Sequence, residues 1–250
     1  MIDRHRLPTA VMGFLAGYLF VAGTAISDDA NWSRFRGTNG PGVGRSRALP
    51  TNWQEDDYAW KINIPGVGHA APIIWGDQLF VTSATDEGRL RHLFCLNAHT
   101  GDELWCRSVA MNPNSKHEKN SFASSTPTTD GRLVYVAFAD NDKFYLSAYY
   151  FDGELAWRRR LEGYGSTHGL GASPVLVDDL LIMVGDQEGP SWIRAFDKST
   201  GETVWSVPRD IRRTSYTTPI LIEPDGGPRQ LICLTRGAGL SSFEPFTGRQ

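Results

Sequence analysis

From residue 70 onward the apolar positions fall in short, β-length runs separated by turn residues. Ala71-Pro-Ile-Ile-Trp75 turns at Gly76-Asp77 into Gln78-Leu-Phe-Val-Thr-Ser83, and Asp86-Glu-Gly88 leads into Arg89-Leu-Arg-His-Leu-Phe-Cys-Leu96. A turn around Thr100-Gly101 then leads to Glu103-Leu-Trp-Cys106. Gly-Asp and Thr-Gly pairs between β-rich runs are hairpin signals. The order recurs, with Asp130-Gly131 before Leu133-Val-Tyr-Val-Ala-Phe138 and Asp178-Asp179 before Leu180-Leu-Ile-Met-Val184. No stretch after residue 25 repeats its apolar residues with a helical period. The pattern predicts an all-β chain made of units of four short antiparallel strands.

Tryptophan sets the length of the unit. Trp60, Trp105, Trp157 and Trp205 are separated by 45, 52 and 48 residues, and a repeat in this range marks a propeller or a related array. Ahead of the last three stand a small residue and a turn glycine: Cys95 and Gly101, Ser147 and Gly153, Ala195 and Gly201. A further copy begins at Ser242 and reaches Gly248, and its tryptophan would fall at position 252, past Gln250. An indole on an outer strand can lie over a neighbouring turn glycine, where no Cβ blocks it. The small residue six positions before the glycine leaves room for that contact. One buried indole contributes roughly 2–3 kcal/mol, so these residues are read as structural docking positions.

The pattern small-x-Asp-x-x-Thr-Gly-x-x-x-Trp resembles the tryptophan-docking motif of the pyrroloquinoline-quinone (PQQ)-like propeller repeats. The copy from Ala195 to Trp205 follows it best; the Cys95 copy carries Asn97 in place of Asp, and the Ser147 copy departs in its turn. The opening Asn31-Trp-Ser-Arg-Phe-Arg-Gly-Thr-Asn-Gly-Pro-Gly42 is similar to the start of exported bacterial members. The resemblance covers about residues 32–250 and implies a β-propeller of four-stranded antiparallel blades. The blades are expected at about 70–108, 123–160, 172–208 and 216–250, after an N-terminal extension at 26–55 and a closing outer strand at 56–63. Four blades could close with the Trp60 strand completing the fourth. The family often has about eight, so an incomplete ring, from an N-terminal fragment, is expected. WD-type repeats fit less well because no Trp-Asp pair ends a strand, and kelch repeats because paired glycines are missing.

Charge narrows the partners. With 25 Lys and Arg against 28 Asp and Glu, the net charge is −3, and no basic stripe suggests nucleic acid. Arg158-Arg159-Arg160, Arg209, Arg212 and Arg213 are read as solvated faces. Arg4-His5-Arg6 precedes Val11-Met-Gly-Phe-Leu-Ala-Gly-Tyr-Leu-Phe-Val-Ala22, an apolar run too short for a comfortable span. Gly23-Thr24-Ala25 follows with small residues. Residues 1–25 are read as a secretory signal peptide cut after Ala25, with an uncleaved anchor as the competing reading. The mature protein is expected in the periplasm or outside the cell, with no stable membrane span. Cys95, Cys106 and Cys233 allow at most one disulfide, and buried thiols are expected for all three.

Chemistry is sought where the inner strands begin: His69-Ala-Ala-Pro72, Ser124-Ser-Thr-Pro127, Gly171-Ala-Ser-Pro174 and Tyr216-Thr-Thr-Pro219. Proline suits the first residues of a strand, and small polar side chains there would line a funnel at one face of the channel. Beside these starts lie His69, His117-Glu118-Lys119-Asn120, His168 and Ser215-Tyr216. Converging imidazoles could bind a metal or move protons, but the offsets from histidine to proline differ (3, 10 and 6 residues). A shared pocket for a small molecule or protein partner is favoured, and no metal is predicted. His92 and His99 are read as structural or exposed. Ser173 lacks a Gly-x-Ser-x-Gly elbow, and Pro174 removes the N–H of an oxyanion hole. Gly40-Pro-Gly-Val-Gly44 is not followed by Lys-Ser/Thr. Asp140-Asn-Asp142 and Asp186-Gln-Glu188 could ligate Ca²⁺ but read more simply as hairpin turns.

Two function classes remain. Resemblance to the PQQ alcohol dehydrogenases implies a quinone, Ca²⁺ and a catalytic carboxylate in the channel. This chain has no adjacent cysteine pair and no matching set of channel Asp or Asn residues. Resemblance to the barrel-assembly propeller BamB implies the same repeats without chemistry, although no cysteine follows the apolar leader to carry a lipid. The expectation is a binding or scaffold module without a cofactor, its ligand or partner unknown. PQQ with Ca²⁺ in a quinoprotein dehydrogenase is the alternative.

Overall fold

The computed structural model describes residues 31–38, 40–44, 50–114 and 116–250, so the signal peptide expected at 1–25 lies outside the described residues. The described residues form four antiparallel sheets, each with its strands in chain order. Blade 1 contains β1 (Ile73–Trp75), β2 (Gln78–Thr85), β3 (Leu90–Asn97) and β4 (Glu103–Ala110). Blade 2 contains β5 (Thr128–Thr129), β6 (Leu133–Ala139), β7 (Lys143–Tyr150) and β8 (Leu155–Glu162). Blade 3 contains β9 (Val175–Val177), β10 (Leu180–Gly185), β11 (Ser191–Asp197) and β12 (Thr203–Arg209). Blade 4 has three strands, β13 (Ile220–Ile222), β14 (Gln230–Thr235) and β15 (Gly239–Phe243). No helix among the described residues is long and apolar enough to cross a membrane.

The outer strand expected at 56–63 does not form. These residues join no ladder and do not pair with β15. A strand exists only where its N–H and C=O groups find a partner, and here the segment is held by side chains instead. Trp60 and Ile64 pack against Leu79, Phe94 and Leu96 on the outer face of blade 1.

Each indole docks on the blade that follows it. Trp60, Trp105, Trp157 and Trp205 lie over Gly101, Gly153, Gly201 and Gly248, where a Cβ would come within 2.5–2.8 Å of the ring. All four glycines have φ between 72° and 85°, a conformation that disfavours any side chain. The indole N–H groups donate to Ala98 O (3.0 Å), Phe151 O (2.8 Å), Lys198 O (3.0 Å) and Pro245 O (3.1 Å). Across its own sheet Trp105 faces Cys95, and Trp205 faces Ala195. In blade 2 the facing residue is Ala148. Ser147 points to the other face, where its hydroxyl accepts from Arg158 Nε at 3.0 Å. The turn from Ala148 to Gly153 is one residue shorter than its counterparts, which moves the docking position off Ser147. In blade 4 Ser242 is half-buried and donates to Gln230 Oε1 at 2.9 Å.

Arginine reinforces two of these contacts. Two residues after its tryptophan, Arg107 Nε donates to Gly153 O at 2.7 Å and Arg159 Nε to Gly201 O at 3.0 Å. Arg159 is thus a clamp between blades rather than part of a solvated face.

The core lies between blades. Ile73, Phe80, Leu93 and Trp105 of blade 1 meet Val134, Val136, Phe138 and Tyr149 of blade 2. Comparable layers join blade 2 to blade 3 and blade 3 to blade 4. Cys95 pairs across the ladder with Trp105 and Cys106 with Phe94, so the two thiols point to opposite faces. All three cysteines are free, with Cys95 and Cys233 buried.

Between blades 3 and 4 the Arg209 Nε lies 3.2 Å from Asp186 Oδ1, both side chains being almost fully buried. Burial, only partly offset by Arg209, pushes the Asp186 carboxyl up to about 6 from its ordinary 3.8. The folded state therefore binds this proton more tightly than the unfolded chain. That contribution is full below pH 4 and is lost as the pH rises through 6. The unfolding free energy of wild type minus that of Asp186→Asn is expected to fall by roughly 1–3 kcal/mol between pH 4 and pH 7. A pH-independent difference in urea titrations would show that Arg209 neutralises the burial cost.

Candidate functional site

The four prolines Pro72, Pro127, Pro174 and Pro219 each stand immediately before an inner strand, β1, β5, β9 and β13. The residue before each proline links one blade to the next. Ala71 N–H donates to Thr126 Oγ1 (3.0 Å), Thr126 N–H to Ser173 Oγ (2.9 Å), and Ser173 N–H to Thr218 Oγ1 (3.1 Å). Thr126 and Ser173 are each 1% exposed. Thr126 and Ser173, predicted to line a funnel, are instead tied into a belt of hydrogen bonds between blades. The physical reason is that an N–H preceding a strand has no ladder partner and must find another acceptor.

The candidate cleft lies beside this belt. His117 comes from the β4–β5 connection, His168 from the β8–β9 connection and Tyr216 from the β12–β13 connection. The His117 and His168 rings sit edge to face with centroids 5.1 Å apart, and His168 and Tyr216 are 6.0 Å apart. Asn120 holds the two loops together. Its N–H donates to His117 O at 2.9 Å, and its side-chain amide donates to His168 O. Lys119 N–H donates to His117 Nδ1 at 3.1 Å. A Cβ at Gly171 would lie 3.0 Å from the Tyr216 ring, so this glycine lets the ring lie flat. Together these residues line a cavity of about 380 Å³. Burial raises the Tyr216 hydroxyl above its ordinary pKa, so it is a neutral donor at pH 7.

His168 and Tyr216 also line a larger cavity of about 780 Å³ with Glu188, Arg212, Arg213 and Arg236. Thr167 donates to Glu188 from both its hydroxyl and its amide, holding that carboxyl below its usual value. Ser215 lines the larger cavity but is largely buried, its N–H donating to Asp186 O at 3.3 Å. His69 and Glu118 are exposed and line neither cavity. The His69 N–H donates to Ser121 Oγ and to Ala123 O, both at 3.0 Å, so this residue serves the blade 1–blade 2 junction through its backbone.

Among the described residues no three His, Cys, Asp or Glu side chains are grouped to hold a metal. His92 is buried between Thr85 Oγ1 and Ser108 Oγ, both at 2.8 Å, and burial lowers its pKa. His99 is exposed and lies 2.9 Å from Asp77. Asp140 caps its own hairpin, accepting from Asn112, Asp142 and Lys143 N–H at 2.7–2.9 Å.

The profile of the family described as outer membrane protein assembly factor BamB matches residues 91–250. The chain belongs to this family. Among solved structures it is similar to BamB from Moraxella catarrhalis, with 21% identity and a TM-score of 0.51 over 76% of this chain and 49% of that one. It is also similar to the quinohemoprotein alcohol dehydrogenase from Comamonas testosteroni, with 13% identity and a TM-score of 0.52 over 74% of this chain and 34% of that one. Likenesses at these identities establish the β-propeller fold and nothing finer. The chain spans about half the length of that BamB chain and a third of that dehydrogenase. A comparison with curated protein sequences finds no significant match.

Ca²⁺ takes six to eight oxygen ligands, and no acidic cluster among the described residues supplies them. The thiols of Cys95 and Cys106 diverge, and Cys233 is buried in blade 4, so no thiol pair offers a platform for the quinone.

Proposed function

We propose that the protein is an exported binding or scaffold propeller whose ligand or protein partner docks on the channel face over His117, His168 and Tyr216. The observation that carries this reading is the convergence of three rings from three connections on an open cleft. The docking tryptophans and most of the proline-adjacent hydroxyls are, by contrast, committed to holding blades together. Two adjoining rings and a neutral phenol offer flat apolar area with donors at the edge, the composition of adaptable binding surfaces. The family's name supports a role beside a protein assembly. Export rests on the leader at residues 1–25, and the mature protein from its native source is expected to begin at Ile26.

A photo-crosslinking residue at position 117 or 213 is expected to capture a ligand or partner at the channel face, and one at Glu202 on the outer turn is not. Combined alanine replacement of His117, His168 and Tyr216 should weaken capture from position 213 at least tenfold, about 1.4 kcal/mol, with the far-UV spectrum unchanged. Equal capture by wild type and the triple variant would sink the reading. Mixing the protein with PQQ and Ca²⁺ is expected to give no stoichiometric change in quinone absorbance and no alcohol-driven dye reduction. Their appearance together would turn the assignment to a quinoprotein dehydrogenase.

A further inference from the structure

The segment from Asn31 to Arg34 runs beside the inner strands and touches three blades. Trp32 makes an antiparallel bridge with Ile74 of β1, with N···O distances of 2.8 and 3.0 Å. Ser33 O accepts from Thr129 N–H at 2.9 Å in β5. Arg34 Nη2 donates to Pro219 O at 2.9 Å, immediately before β13. This path carries the Arg34 side chain into the interior, where it is 6% exposed.

Arg34 differs from the other buried arginines. Arg209 lies against Asp186, and Arg91 makes four hydrogen bonds and feels the charge of Asp140. The Arg34 side chain makes one hydrogen bond, its buried Nε–H meets no acceptor, and no carboxylate lies within ion-pair distance among the described residues. Burial alone lowers its pKa, to about 10, so it remains a cation at pH 7. A buried charge without a counter-charge costs several kcal/mol. It borders a cavity of about 250 Å³ that is also lined by Arg36, Gly40, Tyr216, Thr217 and Thr218. Among the described residues no acidic side chain lines this cavity. Thr218 Oγ1 already accepts from Ser173 N–H, which leaves its O–H to donate elsewhere.

We propose that this cavity is an oxyanion site, in which a carboxylate or phosphate group of a small ligand accepts from the Arg34 guanidinium, with Arg36 at the rim. The anion would supply the missing counter-charge and the missing acceptor together, which is why charge-assisted bonds of this kind are strong. The site is separate from the cleft at His117 and His168, with Tyr216 between the two, so either assignment can fail without the other.

The test follows the arginine Nε–H NMR signals of the full chain during titration with acetate and, separately, with inorganic phosphate, at fixed ionic strength with chloride as the control. The Arg34 signal is expected to shift saturably with at least one of them, with the melting temperature rising over the same range. Saturation by acetate marks a carboxylate ligand, and by phosphate a phosphoryl ligand. Arg34→Gln should abolish the effect, Arg36→Ala should weaken it several-fold, and His117→Ala should leave it unchanged. A shift that merely tracks chloride, or equal binding in Arg34→Gln, overturns the proposal. If Arg34→Gln does not fold, the wild-type Arg34 signal decides alone.

Discussion

Replacing Gly201 by alanine is expected to lower the unfolding free energy by about 2–5 kcal/mol, among the largest effects open to a single methyl group. Part of this, about 1–2 kcal/mol, comes from placing a side chain at φ 72°. The rest comes from contact, because the new Cβ would sit 2.5 Å from Trp157 Cε3. The indole cannot retreat. Its N–H is tied to Lys198 O at 3.0 Å, and Ala148 faces it across the sheet. Overpacking of this kind costs roughly 1–3 kcal/mol. Gly76 supplies the control, since its φ is 56° but a Cβ there meets nothing within 4 Å. Gly76→Ala should therefore show the backbone cost alone. Trp157→Ala is expected to cost about 3–5 kcal/mol, and the double variant Trp157→Ala/Gly201→Ala should cost less than the sum by at least about 1 kcal/mol. Urea unfolding of the four variants checks all of this. Equal losses for Gly201→Ala and Gly76→Ala would show that docking contributes nothing beyond turn geometry.

Arg91→Met should be comparably damaging, at about 3–5 kcal/mol. Arg91 is 2% exposed and holds the junction of blades 1 and 2 from within. Its Nε donates to Gly88 O at 2.9 Å, and its Nη1 to Phe122 O and Ala139 O, both at 3.0 Å. Its Nη2 reaches Asn114 Oδ1 at 3.3 Å, and the guanidinium lies 4.9 Å from the Phe122 ring centre. Methionine fills the volume but leaves three carbonyls without donors. Lysine should fare little better, within about 1 kcal/mol of methionine, because one ammonium cannot reproduce a planar fork that serves several acceptors at once. Hydrogen exchange should report the loss first in β3 and β6, which meet at this residue. A lysine variant as stable as wild type would show that charge alone suffices there.

Most of the architecture was legible because it is written locally. Strand length, turn pairs and proline at the strand starts each act within a few residues of themselves, and all four inner strands begin directly after the prolines that announced them. The tryptophan–glycine repeat was equally readable, since bulk and the lack of a Cβ must recur at fixed places in every blade. Misreadings came where a spatial neighbour decided. Ser147 has the spacing of a docking residue, but a turn shorter by one residue puts Ala148 opposite Trp157. Arg159 reads as a surface charge until Gly201 O of the next blade lies 3.0 Å away. Residues 56–63 have the composition of a strand and find no ladder.

The candidate site was legible only as a neighbourhood. Ring contacts bring His117, His168 and Tyr216 together and leave His69 outside, a choice made by loop paths that no offset from a proline encodes. Arg236, just past the end of β14, lines the larger cavity without any sequence signal. Nothing around Arg34 in the chain marks it as buried either, because the side chain's hydrogen-bond partner is Pro219 O, 185 residues away.

By itself, then, the sequence determined the strand order, the four-fold repeat and the docking chemistry between blades, since these depend on short-range periodicity and on the presence or absence of a Cβ. Tertiary structure alone decided which rings share a cleft, which hydroxyls are spent between blades and which arginine is left without a counter-charge. Those outcomes depend on distances between residues far apart in the chain, and such distances exist only once the inter-blade cores have packed.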